Sequence, residues 1–252
     1  MFVAATTTCF RDLPLDQALE RLADLEYSNV ELMFHESESQ LKPSVIARQL
    51  SETAQSLRNM YRLVPSAASV EILTEDDAEY LRQFTACCKL AKSMKIVTVT
   101  VRASEWGSPF NSEVERLRKC VQIAGERGIT VGLLTERDRL KEDVETVRSL
   151  CRNVPGLLVT LDPSHYIFGY GENPKNYDPL LDLVCHVRLR DTRPNKFQVC
   201  VGQGEIEYGR LITQLQHRGY QRGLSVDIKL ADDIDLPVEL RKMRLLLESL
   251  LI

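Results

Sequence analysis

Eight short apolar runs recur along the chain, and each is followed by a stretch whose apolar residues return at helical spacing. The runs are VAATTTC (3–9), NVELM (29–33), SAASVEI (66–72), IVTVTV (96–101), ITVGLL (129–134), LLVTLD (157–162), CHVRLR (185–190) and LSVDI (224–228). Between them lie LDQALERLADL after Pro14, SVIARQLSETAQSLRNM after Pro43, DDAEYLRQFTACCKLAKSM, SEVERLRKCVQIAGERG ending on Gly128, KEDVETVRSLCRN, GRLITQLQHRG and PVELRKMRLLLESLL. Proline at a helix start and glycine just past its end are the ordinary punctuation of helices. Strand and helix in strict alternation predict parallel βα units, arranged as a closed barrel or as an open sheet. No G-x-G-x-x-G turn follows the first strand, and GQGEIEYG (202–209) lacks the Lys-Ser/Thr of a phosphate loop, which counts against a nucleotide-binding open sheet. A chain of 252 residues with no Pro/Gly/Ser-rich linker matches the size of one α/β barrel, so the prediction is a single (β/α)8 TIM barrel over residues 1–252.

Side-chain alternation supports the closed form. Successive residues of a strand point to opposite faces. Val97, Val99 and Val101 oppose Thr98, Thr100 and Arg102, and Ile129, Val131 and Leu133 oppose Thr130, Gly132, Leu134 and Glu136. Leu157, Val159 and Leu161 oppose Thr160 and Asp162. Cys185, Val187 and Leu189 oppose His186, Arg188 and Arg190, and Leu224, Val226 and Ile228 oppose Ser225, Asp227 and Lys229. Each late strand therefore has an aliphatic face for helices to cover and a polar face that gains charge toward its C-terminal end. In a barrel those ends form the mouth where sites are built. Glu31 and Glu71 occupy comparable places in the first half.

Composition narrows the partners. With 32 basic against 36 acidic residues the formal charge is −4, a poor match for a protein that coats phosphates, so no nucleic-acid partner is expected. Seven scattered cysteines without a C-x-x-C pair suggest free thiols in a reducing compartment rather than a disulfide framework or a zinc ribbon. MFVAATTTCF has neither the basic start nor the apolar run of a signal peptide, and no stretch has the ~20 apolar residues of a membrane span. A cytoplasmic location without membrane attachment is expected, and a homo-oligomer is compatible with the sequence.

The densest polar stretch is VTLDPSHYIFGYG (159–171). Asp162 closing a strand and His165 three residues on can aim a carboxylate and an imidazole at one point, for metal ligation or for hydrogen bonding to substrate. A turn aspartate beside a surface histidine would read the same way. His186, Arg188 and Arg190 share one face of strand seven, as binding groups or as an ion-pairing rim. Trp106, in ASEWGSPF (103–110), either walls a pocket or anchors its loop, and Phe10 and His35 are further candidates for the mouth.

Taken together, TCFRDLPLDQALERLADLEYSNVEL, GITVGLLTERDRLKEDVETV, LLVTLDPSHY, CHVRLRDT, VGQGEIEYGRLI and GYQRGLSVDI give the chain a resemblance to the xylose-isomerase-like barrels, the sugar phosphate isomerase/epimerase family, over nearly its whole length. The resemblance implies one divalent metal (Mn2+, Mg2+ or Zn2+) at the barrel mouth. Its ligands would be a Glu ending strand five, an Asp ending strand six, a His on strand seven and an acid ending strand eight. It also implies carboxylates that move protons beside a metal-polarised carbonyl. Position by position the match is partial. Asp162 and Asp227 occupy the third-last and last elements of that set, and His165 the substrate-contacting histidine. The strand-five Glu falls on Leu134 and the strand-seven metal His on Arg188, with His186 as the deeper histidine. Glu136 shares the facing of Leu134 but lies about 6–7 Å farther along. A guanidinium stays protonated and cannot ligate a cation. The expectation is therefore no metal, with Arg188 neutralising Asp162 and Asp227.

Two functions compete on these residues. The first is a protein of the isomerase/epimerase class acting on or binding a small sugar, sugar phosphate or sugar acid. Asp162, His165, Asp227 and Glu136 would carry the catalysis, and Arg188, Arg190, His186, Arg102, Glu31 and Trp106 would contact substrate. The second is a metal-free, catalytically inactive binder of an anionic small molecule, held by Arg102, Arg137, Arg188 and Arg190 through bidentate bonds. An abasic-site endonuclease is a remote third, disfavoured by the acidic charge and the absence of a basic-aromatic groove.

Overall fold

The computed structural model describes residues 1–137, 139 and 143–252. Lys141 and Glu142, the first two residues of the predicted KEDVETVRSLCRN helix, lie outside the described residues, as does part of the stretch after strand five. Eight parallel strands close in sequence order: β1 (Phe2–Thr6), β2 (Asn29–His35), β3 (Val64–Glu71), β4 (Thr98–Val101), β5 (Thr130–Leu134), β6 (Leu157–Leu161), β7 (Val184–Leu189) and β8 (Gly223–Val226). The ring is completed by β8 pairing back onto β1, with Phe2 opposite Gly223 and Ala5 opposite Val226. The helices are α1 (Leu15–Asp24), α2 (Pro43–Arg48), α3 (Leu50–Ser56), α4 (Asp77–Ser93), α5 (Phe110–Gly125), α6 (Val144–Asn153), α7 (Tyr208–His217) and α8 (Leu236–Leu250). Among the described residues no helix is long and apolar enough to cross a membrane.

The aliphatic strand faces turn outward under the helices. Val99, Val101, Leu133, Val159, Val187 and Val226 are buried beneath Leu117, Leu150, Leu215, Leu240 and Met243 of the helical layer. Each such side chain contributes about 1.5–3 kcal/mol when fully removed from water. The helix starts are capped as their sequences suggest: Asp76, Asp143 and Asp235 accept backbone N–H groups at the heads of α4, α6 and α8. The Tyr27 hydroxyl donates to the Leu240 carbonyl at 2.8 Å and ties the approach to β2 to the closing helix.

Three local predictions are corrected. The continuous helix expected over 44–60 is broken at Gln49, whose φ of −133° and ψ of 48° leave the helical region, so α2 and α3 are separate. Nothing in the local residue types marks the break; beyond it Leu57 and Leu63 are buried in the core. The first strand ends at Thr6, not at residue 9, because residues 7–10 form a 3-10 turn. That turn brings the hydroxyls of Thr6 and Thr8 onto Asp227 at 2.8 and 3.2 Å. Finally, Cys185 does not join the outward aliphatic face. The pairing of β6 with β7 slips between Val159 and Thr160, so that Val159 faces Val184 while Thr160 faces His186. The extra residue is Cys185, and its sulfur lies 2.8 Å from where a Cβ on the inward-facing Gly132 would stand. Burial pushes its thiol up to about 12.

Gly132 is thus the one inward position of β5 with no room for a side chain. A Cβ there would meet Thr160 Oγ1 at 2.3 Å as well as Cys185, and Thr160 Oγ1 is itself engaged with Thr100 Oγ1 at 2.8 Å. Gly132→Ala is expected to destabilise the protein by about 1–3 kcal/mol, the usual cost of overpacking. Urea unfolding at constant m-value measures it, and an unchanged midpoint would show that the interior yields.

Candidate functional site

The polar ends of the strands converge at three heights. Deepest is Glu31 of β2, fully buried, which accepts from His186 Nε2 at 2.9 Å and from Arg188 Nη2 at 2.5 Å, both on β7. Burial opposes the charge of Glu31, but the Arg188 guanidinium and His186 outweigh it and hold the carboxyl well below the usual range. The partner expected for Arg188 is therefore corrected: it pairs with Glu31, not with Asp162 and Asp227. Arg188 and Glu31 both lie within their strands, whereas the two aspartates are each the first residue past the end of a strand.

The residue at their height on β7 is Arg190, also the first past its strand. Its Nη2 donates to Asp162 Oδ2 at 2.9 Å and to Asp227 Oδ2 at 2.6 Å. The remaining oxygens are occupied as well. Asp162 Oδ1 accepts from Ser164 N at 3.1 Å and Ser164 Oγ at 2.5 Å, and Asp227 Oδ1 accepts from Thr6 and Thr8. Burial disfavours a charged Asp227, yet Arg190, then Arg188 and Lys229, hold it well below the usual carboxylate range. The Arg190 guanidinium also lies 4.7 Å over the ring of Phe197.

His165 follows Asp162 in a 3-10 turn, with its ring 4.8 Å from Phe197. Its Nδ1 accepts from Arg137 N at 3.1 Å, which leaves the ring proton on Nε2, 3.8 Å from Asp162 Oδ2. Burial lowers its basicity further than Asp162 restores it, so the imidazole is neutral near pH 7. At the rim, Arg102 grips Glu136 in a bidentate pair, Nε to Oε2 at 2.8 Å and Nη2 to Oε1 at 2.5 Å, and its Nη1 donates to Glu71. Burial works against Glu136's charge but Arg102 prevails and keeps it ionised. Glu136 is thereby committed to Arg102 rather than to the site of Leu134. His35 contacts Ser69 Oγ at 3.0 Å, and burial, with Arg188 and Arg102 nearby, lowers its pKa to about 3.

These groups surround an inner cavity of about 130 Å³ lined by Arg102, Glu136, Asp162, His165, Arg190 and Asp227, among others. Arg188 and Leu134 also reach it, while Glu31 and His186 lie behind Arg188. An outer chamber of about 580 Å³ adjoins it, and Trp106 lines only that chamber. Sequence reasoning missed Phe197, which touches both cavities, and the Lys229–Glu38 pair at 2.8 Å. Phe197 lies outside the periodic segments, and although Lys229 shows on the polar face of strand eight, nothing in the pattern points to Glu38 as its partner.

Residues 19–246 match the sequence profile of the xylose isomerase-like TIM barrel family. The chain belongs to that family. Solved structures of similar fold include a xylose isomerase domain protein from Alicyclobacillus acidocaldarius, 18% identical with a TM-score of 0.77, covering 99% of this chain and 98% of that one. A D-allulose 3-epimerase from Methylomonas sp. is 12% identical with a TM-score of 0.76 and covers 99% and 98%. The IOLI protein, crystallised with a zinc atom, is 14% identical with a TM-score of 0.72 and covers 100% and 96%. At such identities the likeness is one of fold. No curated protein sequence matches the chain.

In this xylose isomerase-like barrel the groups that a divalent ion would need are already engaged with other side chains. The two facing aspartates already share one guanidinium nitrogen, which has no lone pair to offer a cation, and His186 is spent on Glu31. Among the described residues no three His, Cys, Asp or Glu side chains converge as a ligand set.

The titration of the mouth has a defined sign. His35 drops from its ordinary 6.5 to about 3 in the folded chain, so between those values the unfolded chain binds the extra proton and stability is lost as the pH is lowered. His165 is shifted the same way, and Glu31, Asp227 and Glu136, all lowered, add their losses below the ordinary carboxylate range. The expected slope is up to about 1.4 kcal/mol per pH unit for each histidine. Denaturant melts from pH 7 to 4.5 should show it, and His35→Gln should remove one proton's worth of slope. An unchanged slope in that variant would place the titration elsewhere.

Proposed function

We propose that this barrel holds a small, largely uncharged carbohydrate at its C-terminal mouth without a divalent metal, and that binding rather than isomerisation is its role. The carrying observation is the single Arg190 nitrogen between Asp162 and Asp227. A cation that the protein itself supplies neutralises the carboxylates, orients them and leaves one acceptor site on each Oδ2 for a sugar hydroxyl. The charge balance supports a neutral ligand over an anion. Four cations, Arg102, Arg188, Arg190 and Lys229, line the inner cavity with four carboxylates, Glu38, Glu136, Asp162 and Asp227, and Glu31 and Glu71 stand behind them. An incoming anion would meet a surplus of negative charge and no uncommitted arginine among those four. The same balance, with the overall charge of −4, disfavours nucleic acid.

Proton transfer needs a group whose pKa is poised near the working pH. Glu31, Glu136 and Asp227 are shifted the other way, held ionised by arginines, which makes them weak bases. Isomerase or epimerase chemistry is the second reading, favoured by the Asp162–His165 pair beside the inner cavity.

Elemental analysis of purified protein is expected to find no stoichiometric divalent ion. Chelator or added Mn2+ should leave the melting temperature unchanged. Neutral aldoses, ketoses or polyols should raise it, by about 2.7 kcal/mol of stabilisation at a hundredfold excess over Kd. One tightly bound divalent ion per chain would overturn the metal-free reading. Ketose–aldose turnover that disappears in a folded Glu136→Gln variant would overturn the binding-only role in favour of catalysis.

A further inference from the structure

The two cavities at the mouth share Arg102, Glu136, His165 and Phe197 as wall residues and differ in size. Ligand pockets ordinarily run to about 300–1,000 Å³. The outer chamber, at about 580 Å³, lies within that range, and the inner cavity, at about 130 Å³, falls short of it. A cavity of about 150 Å³ is enough for one benzene molecule. Glycerol and dihydroxyacetone have as many non-hydrogen atoms as benzene, and a hexose has far more. The inner cavity therefore has the size of a three-carbon polyol.

Its polar groups suit such a molecule. Asp162 Oδ2 and Asp227 Oδ2 each accept one bond from Arg190 Nη2, at 2.9 and 2.6 Å, and each keeps a second acceptor site. Because both oxygens are bonded to one nitrogen, neighbouring hydroxyls of a single short chain can reach both. His165 supplies a donor: its Nε2–H stands 3.8 Å from Asp162 Oδ2, beyond hydrogen-bond length, while its Nδ1 is taken by Arg137 N. Met33, Leu134 and Phe197 give the same cavity apolar wall for C–H groups.

The wall shared with the outer chamber is held from several sides. Arg102 grips Glu136 in a bidentate pair and also donates to Glu71. The Phe197 ring lies under the Arg190 guanidinium at 4.7 Å and packs against His165 at 4.8 Å and Phe168 at 5.4 Å. Its loop is tied just beyond the ring. Val199 N donates to Asp191 O at 3.0 Å, and the Gln198 side chain exchanges two bonds with the Lys229 backbone at 2.7 and 2.8 Å. A ligand too long for the inner cavity has to displace this ring or break the Arg102–Glu136 pair.

We infer that the preferred ligand is a three-carbon polyol or ketose held within the inner cavity, and that Phe197 sets this size limit. This rests on the carbohydrate reading of the mouth.

The test is calorimetric titration with glycerol and dihydroxyacetone, then erythritol, xylitol and glucitol, then glucose and fructose. The three-carbon compounds are expected to bind roughly tenfold or more tightly than glucitol or either hexose. In Phe197→Ala that ratio is expected to fall toward one, because longer chains gain a path outward, and Phe197→Leu should lie between. Affinity that is level or rises with chain length in the unmodified protein would overturn the size limit and leave the carbohydrate reading standing. A three-carbon preference that persists undiminished in folded Phe197→Ala and Phe197→Leu would overturn the role of Phe197. Failure of every compound to bind would overturn the inference together with the carbohydrate reading.

Discussion

One guanidinium holds the mouth of this barrel together. Asp162 and Asp227 approach from β6 and β8, and without Arg190 between them two buried carboxylates would face each other in a low-dielectric setting. Removing one partner of such a cluster typically costs about 3–5 kcal/mol, because the remaining charge is left uncompensated. The cluster as a whole is nonetheless a weak stabiliser, since desolvation offsets most of the attraction. Its value lies in position: it fixes four carboxylate oxygens in known directions, each with a donor on the protein side.

The rest of the mouth repeats that arrangement. Glu31 is clamped by Arg188 and His186, Glu71 and Glu136 by Arg102, and Glu38 by Lys229. Acids and bases are paired strand to strand, so the charges that emerge from neighbouring strands also brace the ring. His165 and His35 remain neutral inside this lattice because burial opposes protonation. The result is a site rich in oriented hydrogen-bonding groups, with Glu31, Glu136 and Asp227 held ionised and His35 and His165 held neutral near pH 7.

Much of the fold was legible because a barrel strand encodes its own facing. The alternation of aliphatic and polar residues in β4 to β8 told which side chains meet helices and which meet the interior, and Asp162, Arg190 and Asp227 were visible as inward residues at strand ends. Alternation carries facing but not height. Facing alone puts Arg188 with the aspartates, whereas it pairs with Glu31, and it puts Glu136 near the place of Leu134, whereas it pairs with Arg102. It also fails at a bulge: the extra residue in β7 turned Cys185 inward, and no residue type announces that slip. The break at Gln49 was equally silent.

The order of strands and helices, the closed parallel sheet and the identity of the inward residues follow from local chemistry, since periodicity and punctuation are properties of neighbouring residues. The ion pairs do not. Glu31 and Arg188 are 157 positions apart, and Thr6 and Asp227 are separated by 221. Which acid meets which arginine depends on strand register and on how far each strand runs before it turns, and those are settled only when all eight strands close into one ring. The seating of Arg190 between Asp162 and Asp227, and the division of the mouth into an inner cavity and an outer chamber, are therefore decisions of the tertiary structure.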